Sequence, residues 1–176
     1  MRFMVGDMRD IVMDKVVVNI GTGSETTAYE NAKRLLATLT NAKPASAMAK
    51  RRIPTFKIGK GTKIGVFVTL RGKRASELAN RLFKTVDNKV GKRAISGNSV
   101  NFGIKEYIDI PGLKYDPTIG IIGMNVNVSF KRKGIRVARR KRGAADVGKK
   151  HMLISREEIK EHLKKDFGVE VSTGAE

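Results

Sequence analysis

Residues 43–74 read KPASAMAKRRIPTFKIGKGTKIGVFVTLRGKR, and the second half of this stretch indicates the fold class. Side chains alternate over residues 64–71: one face carries Ile64, Val66, Val68 and Leu70, and the other carries Gly65, Phe67, Thr69 and Arg71. Because only the first face is uniformly apolar, the pattern predicts a strand of an antiparallel sheet that is buried on one side. Residues 43–63 are basic and interrupted by Pro and Gly, which predicts a loop.

The charge around this stretch indicates a polyanionic partner. Residues 31–76 contain twelve Lys or Arg and no Asp or Glu, and the whole chain carries a net charge of +19. A positive span without local counter-charge favours an extended anion such as RNA over a single phosphate. The alternative is a solvated basic face, but such a face normally carries carboxylates as well.

The flanking sequence supplies more strands and the helices that cover them. Alternation predicts strands at residues 15–20, 98–110 and 121–131, and apolar stripes predict helices at residues 24–40 and 73–90. Ser24 is the expected N-cap of the first helix, and Ser155 with Glu158 predicts a capping box that begins a last helix ending at Gly168. Residues 1–14 are predicted to be an extended or frayed lead-in. Together these elements predict a single α+β domain over residues 1–176, built as a two-layer sandwich: a mostly antiparallel sheet, helices on one face and an open RNA-binding face on the other.

The open face predicted by alternation is polar or cationic. The expected RNA-binding residues on it are Lys15, Asn19, Thr69, Arg71, Asn101, Lys105, Asn125 and Asn127, with Ser129 beside them. Amides, hydroxyls and cations suit sugar hydroxyls and phosphates. Phe67 is the one prominent aromatic residue predicted there, so base stacking on the sheet is expected to be minor.

A second basic segment covers residues 131–150, which hold ten basic residues against one acid, Asp146. Its like charges repel, and it lacks a sustained apolar pattern. We therefore expect this segment to be mobile in the free protein and ordered only against RNA.

Catalytic and membrane functions have little support in the sequence. Cysteine is absent, and the two histidines, His151 and His162, form no set with the scattered acids; His162 is expected to be exposed on its charged helix. The turn at Gly21 and Gly23 lacks the remainder of a phosphate-binding motif. No apolar run is long enough to span a bilayer, and the most basic segments are predicted loops rather than amphipathic helices. We predict neither an enzyme nor a cofactor; a nucleic-acid-modifying enzyme and a peripheral membrane protein are the alternative classes.

Three segments resemble a known family. KVVVNIGTG at residues 15–23, KPASAMAKRRIPTFKIGKGTKIGVFVTLRG at residues 43–72 and NFGIKEYIDIPGLKYDPTIGIIGMNV at residues 101–126 resemble the large-subunit ribosomal protein L5 family, which binds 5S ribosomal RNA. The resemblance runs from about residue 15 to residue 171. The basic segment after Phe130 is similar to the archaeal type.

The resemblance implies a structural protein of the cytoplasmic ribosome that helps attach 5S rRNA in the central protuberance. Lys15, Asn19, Thr69 and Arg71 match RNA-contacting positions of the family, and Ala42 stands where many members carry Gln. The loop expected to face peptidyl-site (P-site) tRNA carries Arg51, Arg52, Phe56, Lys57 and Lys60; we expect Phe56 to pack beneath it. Further implied partners are 23S-type rRNA, a neighbouring 5S-binding protein and a small-subunit protein at the intersubunit bridge. No membrane partner is implied.

Overall fold

The computed structural model describes residues 8–172. The strands are β1 (Ile11–Gly21), β2 (Ala45–Met48), β3 (Lys63–Leu70), β4 (Lys89–Gly91), β5 (Ile95–Ser96), β6 (Ser99–Ile104), β7 (Met124–Arg132) and β8 (Glu170–Ser172). The helices are α1 (Thr26–Thr40), α2 (Lys73–Thr85), α3 (Arg136–Arg139), α4 (Lys149–Met152) and α5 (Arg156–Phe167).

Six of the strands form one antiparallel sheet in the order β2-β3-β1-β7-β6-β5. β4 and β8 form a separate parallel pair that joins residues 170–172 to the segment after α2. β1 lies in the middle of the large sheet, where it pairs with β3 on one side and with β7 on the other. The predicted α+β fold with a mostly antiparallel sheet is confirmed.

The core lies between this sheet and the helices. Val16, Val18 and Ile20 of β1 are almost fully buried, as are the matching apolar residues of β3 and β7. α1 contributes Leu35 and Leu36 to the same cluster, and α2 contributes its own apolar stripe. Because every second residue of the strands enters this core, the residues between them are left on the opposite face of the sheet.

Two helix boundaries differ from the sequence prediction. α1 begins at Thr26 with Glu25 as N-cap rather than Ser24, and the Glu25 carboxylate accepts a hydrogen bond from the Thr27 hydroxyl at 2.9 Å. α2 ends at Thr85 rather than at residue 90, because Asp87 and Asn88 take positive φ angles of 53° and 54°. Positive φ cannot continue a right-handed helix, so the chain turns and enters β4. The predicted capping box of α5 is present.

Several strand boundaries also differ. β1 begins at Ile11, so residues 11–14 of the predicted lead-in belong to the sheet; residues 1–7 lie outside the described part. β2 lies within the predicted loop at residues 43–63. The strand predicted at residues 98–110 ends at Ile104, because the chain turns to bury Tyr107, whose hydroxyl accepts a hydrogen bond from the Asp116 amide at 3.0 Å. The last predicted strand begins at Met124 instead of residue 121.

The basic segment at residues 131–150 makes more contacts than its composition suggests. Its first two residues continue β7, and Ile135 is buried. Asn98 holds the chain that follows the segment, because its amide nitrogen donates to the Met152 carbonyl at 2.7 Å and its amide oxygen accepts from the Ile154 amide at 3.1 Å. The mobility of this segment in the free protein stays a prediction.

Candidate nucleic-acid interface

The strand register brings the predicted RNA-binding residues together on one face. In one row across the sheet, Val17 of β1 lies opposite Thr69 of β3 and Asn127 of β7, and Asn127 lies opposite Asn101 of β6. In the next row, Asn19 lies opposite Phe67 and Asn125. We call this surface the open face, and its residues are Lys15, Val17, Asn19, Phe67, Thr69, Ser99, Asn101, Gly103, Asn125, Asn127 and Ser129.

Two predicted cations stand at the rim of the open face. Lys15 lies opposite Ser129 within the sheet, whereas Arg71 and Lys105 directly follow β3 and β6 and are exposed. Arg71 comes two residues after Thr69, and Lys105 comes two residues after Gly103, so the alternation of each strand places both on the side of the open face. The structure thus places polar groups in the middle and positive charge around them.

Hydrogen bonds between side chains fix part of the open face before any ligand binds. The Asn127 amide nitrogen donates to the Asn101 amide oxygen, and the Ser129 hydroxyl donates to the Asn127 amide oxygen at 3.0 Å. These bonds hold the Asn127 amide in one orientation. Asn19 and Thr69 make no side-chain hydrogen bond within residues 8–172, so their polar groups are available to a ligand.

The open face contains a shallow depression of about 470 Å³. Val17 and Gly103 contribute to its lining together with asparagine side chains from β1, β6 and β7. Gly103 has no side chain to fill the space beside Asn125, whose amide oxygen lies 3.6 Å from where a Cβ atom of residue 103 would stand. The surface can therefore accept a convex group such as a ribose.

A carboxylate that strand alternation did not predict lies at the edge of the open face. The β1–β7 register shifts between Met13 and Lys15, so Asp14 is an extra residue in a β-bulge. Its carboxylate accepts a hydrogen bond from the Lys131 ammonium at 2.6 Å. This hydrogen bond, with the positive charges of Lys131, Arg139 and Arg71, lowers the pKa of Asp14 below its ordinary value. Asp14 is therefore an anion among cations at neutral pH.

The expected tRNA-facing loop extends the β2–β3 hairpin. Two backbone hydrogen bonds close its base, one from the Ala49 amide to the Thr62 carbonyl and one from the Gly61 amide to the Ala49 carbonyl. Beyond them Ile53 pairs with Ile58 across a 3₁₀ turn at Pro54–Phe56. All of the predicted contact residues are exposed: Arg51, Arg52, Phe56, Lys57 and Lys60. Phe56 is 67% exposed, so the expectation that it packs beneath the loop is wrong. The short turn holds its ring away from the body.

Other predicted features are revised or absent in the described residues. The His162 side chain is only 14% exposed, because its ring lies edge-on to Phe130, and the prediction of an exposed histidine is wrong. Ala42 packs against the core.

Between residues 8 and 172, no group of three or more His, Asp or Glu side chains could hold a metal ion. No helix in this part of the chain is long and apolar enough to cross a membrane.

Comparison with known proteins identifies the family. The family model described as Ribosomal protein L5 matches residues 7–58, and a second model, which describes the C-terminus of the same ribosomal family, matches residues 63–170. The chain belongs to the ribosomal protein L5 family. A relative from Sulfurisphaera tokodaii, named large ribosomal subunit protein uL5, is 44% identical over 172 residues, which cover 97% of each chain. The protein of the same name from Archaeoglobus fulgidus is 42% identical over 153 residues, covering 87% of this chain and 86% of the relative.

Membership of the L5 family confirms the coarse predictions. The chain is a structural protein of the large ribosomal subunit, not an enzyme, and it acts in the cytoplasmic ribosome. The archaeal relatives agree with the predicted archaeal type.

Proposed function

We propose that this L5-family protein binds 5S rRNA through the open face and helps attach that RNA in the central protuberance of the large subunit. One observation carries the proposal. Four neighbouring strands present amides, hydroxyls and cations in register over a broad surface, and the Asp14 carboxylate at its edge is already paired with Lys131. Such a surface complements the phosphates and sugar hydroxyls of an RNA backbone.

Different residues of the open face have different roles in this binding. Lys15, Arg71 and Lys105 supply the attraction for phosphates, whereas Asn19, Thr69 and Asn125 offer hydrogen bonds at short range. Asn101 and Asn127 are oriented by their mutual bond, so they lose little conformational freedom when RNA binds. Because these side chains are held in fixed positions, we expect the open face to bind a structured RNA of matching shape more tightly than an arbitrary duplex.

The β2–β3 hairpin loop supports a second proposed contact, with P-site tRNA. The loop extends the β2–β3 hairpin beyond its last paired residues, Met48 and Lys63, so it can engage a second RNA while the open face binds 5S rRNA. Arg51, Arg52, Lys57 and Lys60 are free to approach a phosphate backbone. The exposed Phe56 ring can stack on an unpaired base, which is a typical mode of single-stranded RNA recognition. Proposed contacts with 23S-type rRNA, a neighbouring 5S-binding protein and a small-subunit bridge protein rest on the family resemblance.

Salt dependence of binding tests the proposed function. Each phosphate contact adds roughly 0.7 to 0.9 to the slope of log affinity against log salt. Lys15 of the open face and the rim cations Arg71 and Lys105 therefore predict a slope of about −2 or steeper for 5S rRNA. Lys105→Met should make the slope shallower by about 0.8. The matched control is Lys33→Met, because Lys33 is exposed on α1 and lies on the helical layer. A slope near zero, or equal binding to 5S rRNA and an unrelated duplex, contradicts the proposal.

A further inference from the structure

The Asp14–Lys131 pair occupies a place where an RNA phosphate could otherwise bind. Both residues line a depression of about 320 Å³ next to the open face, together with Lys15, Ser129 and Arg139. The depression lies where β1 and β7 meet the basic segment that follows β7. Positive charge therefore converges on it from the sheet and from the segment, and the Asp14 carboxylate is the anion that faces this charge.

The ion pair joins an exposed cation to a largely buried carboxylate. The Lys131 side chain is 42% exposed and the Asp14 side chain 19% exposed, so water screens the attraction from the Lys131 side. Fully exposed pairs stabilise a fold by about 0 to 1 kcal/mol, and in this pair the burial of Asp14 costs part of the hydration of its carboxylate. The bulge that presents Asp14 nevertheless interrupts the β1–β7 ladder, which costs regular pairing. Because both the bulge and the burial of the carboxylate carry a cost, a role in RNA recognition would give a reason for an acid at this position.

We propose that Asp14 is a specificity-determining residue that withholds Lys131 from RNAs other than the cognate one. By holding the Lys131 ammonium, the carboxylate removes one phosphate contact and repels a second anion. An arbitrary duplex loses this contact, whereas 5S rRNA binds through the remainder of the open face. Specificity of this kind arises from penalising wrong partners rather than from strengthening the right one. The inference rests on the proposed RNA-binding function of the open face.

Replacing Asp14 by Asn tests the inference with little change of shape. Asp14→Asn should raise the affinity for an unrelated RNA duplex by roughly three- to tenfold near physiological salt and steepen its salt slope by about 0.8, which is the effect of one added phosphate contact. The affinity for 5S rRNA should rise by a smaller factor, so the ratio of specific to unrelated binding should fall.

Asp10→Asn is the matched control. Asp10 pairs with Lys133 at 2.7 Å, and the two side chains are exposed to a similar extent, at 47% and 41%. This pair lines a different groove, beside α5, where Glu158 and Glu161 also lie. Asp10→Asn changes the net charge by the same amount as Asp14→Asn, and we expect it to change duplex affinity by less than about twofold because the acids of α5 oppose a phosphate there.

A double variant shows whether Lys131 carries the effect. Lys131→Met alone should lower the affinity for the unrelated duplex, because it leaves the Asp14 carboxylate unpaired where it repels a phosphate. Adding Lys131→Met to Asp14→Asn should return that affinity to the wild-type value. Thermal unfolding of each variant separates these effects from a loss of folded protein.

Two outcomes overturn the inference. If Asp14→Asn weakens 5S rRNA binding and leaves duplex binding unchanged, Asp14 positions Lys131 for the cognate RNA instead. If Asp14→Asn and Asp10→Asn raise duplex affinity equally, the effect is one of net charge alone. If the wild-type protein does not prefer 5S rRNA over the unrelated duplex, the proposed function is contradicted. That result is distinct from the two above, because the duplex affinities of Asp14→Asn and Asp10→Asn can still be compared.

Discussion

Asn19→Ala is expected to separate RNA binding from folding. Asn19 lies on β1, opposite Asn125 and Phe67, and its side chain makes no hydrogen bond within residues 8–172. Its removal leaves no buried polar group unsatisfied, so the free energy of unfolding should change by no more than about 0.5 kcal/mol. A hydrogen bond to a charged phosphate is worth about 1.5 to 3 kcal/mol, so 5S rRNA affinity should fall by roughly 10- to 150-fold.

Asn127→Ala provides the contrast. This change removes the bond that Asn127 donates to Asn101 and the bond that it accepts from Ser129. At about 0.5 to 1.5 kcal/mol for each bond, the free energy of unfolding should fall by roughly 1 to 3 kcal/mol. Urea unfolding and fluorescence anisotropy with labelled 5S rRNA measure both quantities. The reasoning is refuted if Asn19→Ala destabilises the protein as much as Asn127→Ala does and leaves RNA affinity unchanged.

Three further predictions concern the loop, the basic segment and α5. Phe56→Ala should leave 5S rRNA affinity within about 0.5 kcal/mol and weaken P-site tRNA retention by reconstituted ribosomes; Phe56→Tyr is the control, and loss of 5S rRNA binding contradicts the assignment. Amides of residues 131–133 should exchange slowly in the free protein, whereas residues 140–148 should become protected only when RNA is added; strong protection there without RNA opposes the prediction. The hydrogen bond from Arg132 to Glu158 lowers the pKa of Glu158 from its ordinary value of 4.5, so the stability it provides is present above that pH and is lost as the pH falls through the lowered pKa. The Glu158→Gln variant, which can keep the capping box, should therefore lose less stability than the wild-type protein below pH 4.5 in acid titrations followed by circular dichroism. An equal loss in the variant and the wild-type protein contradicts this prediction.

The sheet and its open face could be predicted because strand alternation is a local signal. Successive side chains of a strand point to opposite faces, so Val16 and Val18 lie on one face of β1 and Lys15 and Asn19 on the other. Once one residue is assigned to a face, the faces of the other residues in the strand follow. The capping box at Ser155 is local in the same way. These features depend on residues within a few positions of one another in the chain.

The missed features depend on contacts between distant segments. The Asp14 bulge exists only in the register between β1 and β7, and the hydrogen bond from Lys131 joins residues far apart in sequence. β2 is a strand because β3 offers it a partner, although its own residues suggest a loop. Exposure of Phe56 follows from the 3₁₀ turn of the hairpin, which no apolar period indicates. Tertiary pairing, rather than local propensity, decides each of these features.

Lysine acetylation of the free and RNA-bound protein tests the central claim most directly. Bound 5S rRNA should protect Lys15 and Lys105, which belong to the open face and its rim. Lys33 on α1 and Lys84 on α2 should stay reactive, because both are exposed on the helical layer. Protection of Lys33 and Lys84, with Lys15 and Lys105 still reactive, would show that the RNA lies on the helices and would contradict the account.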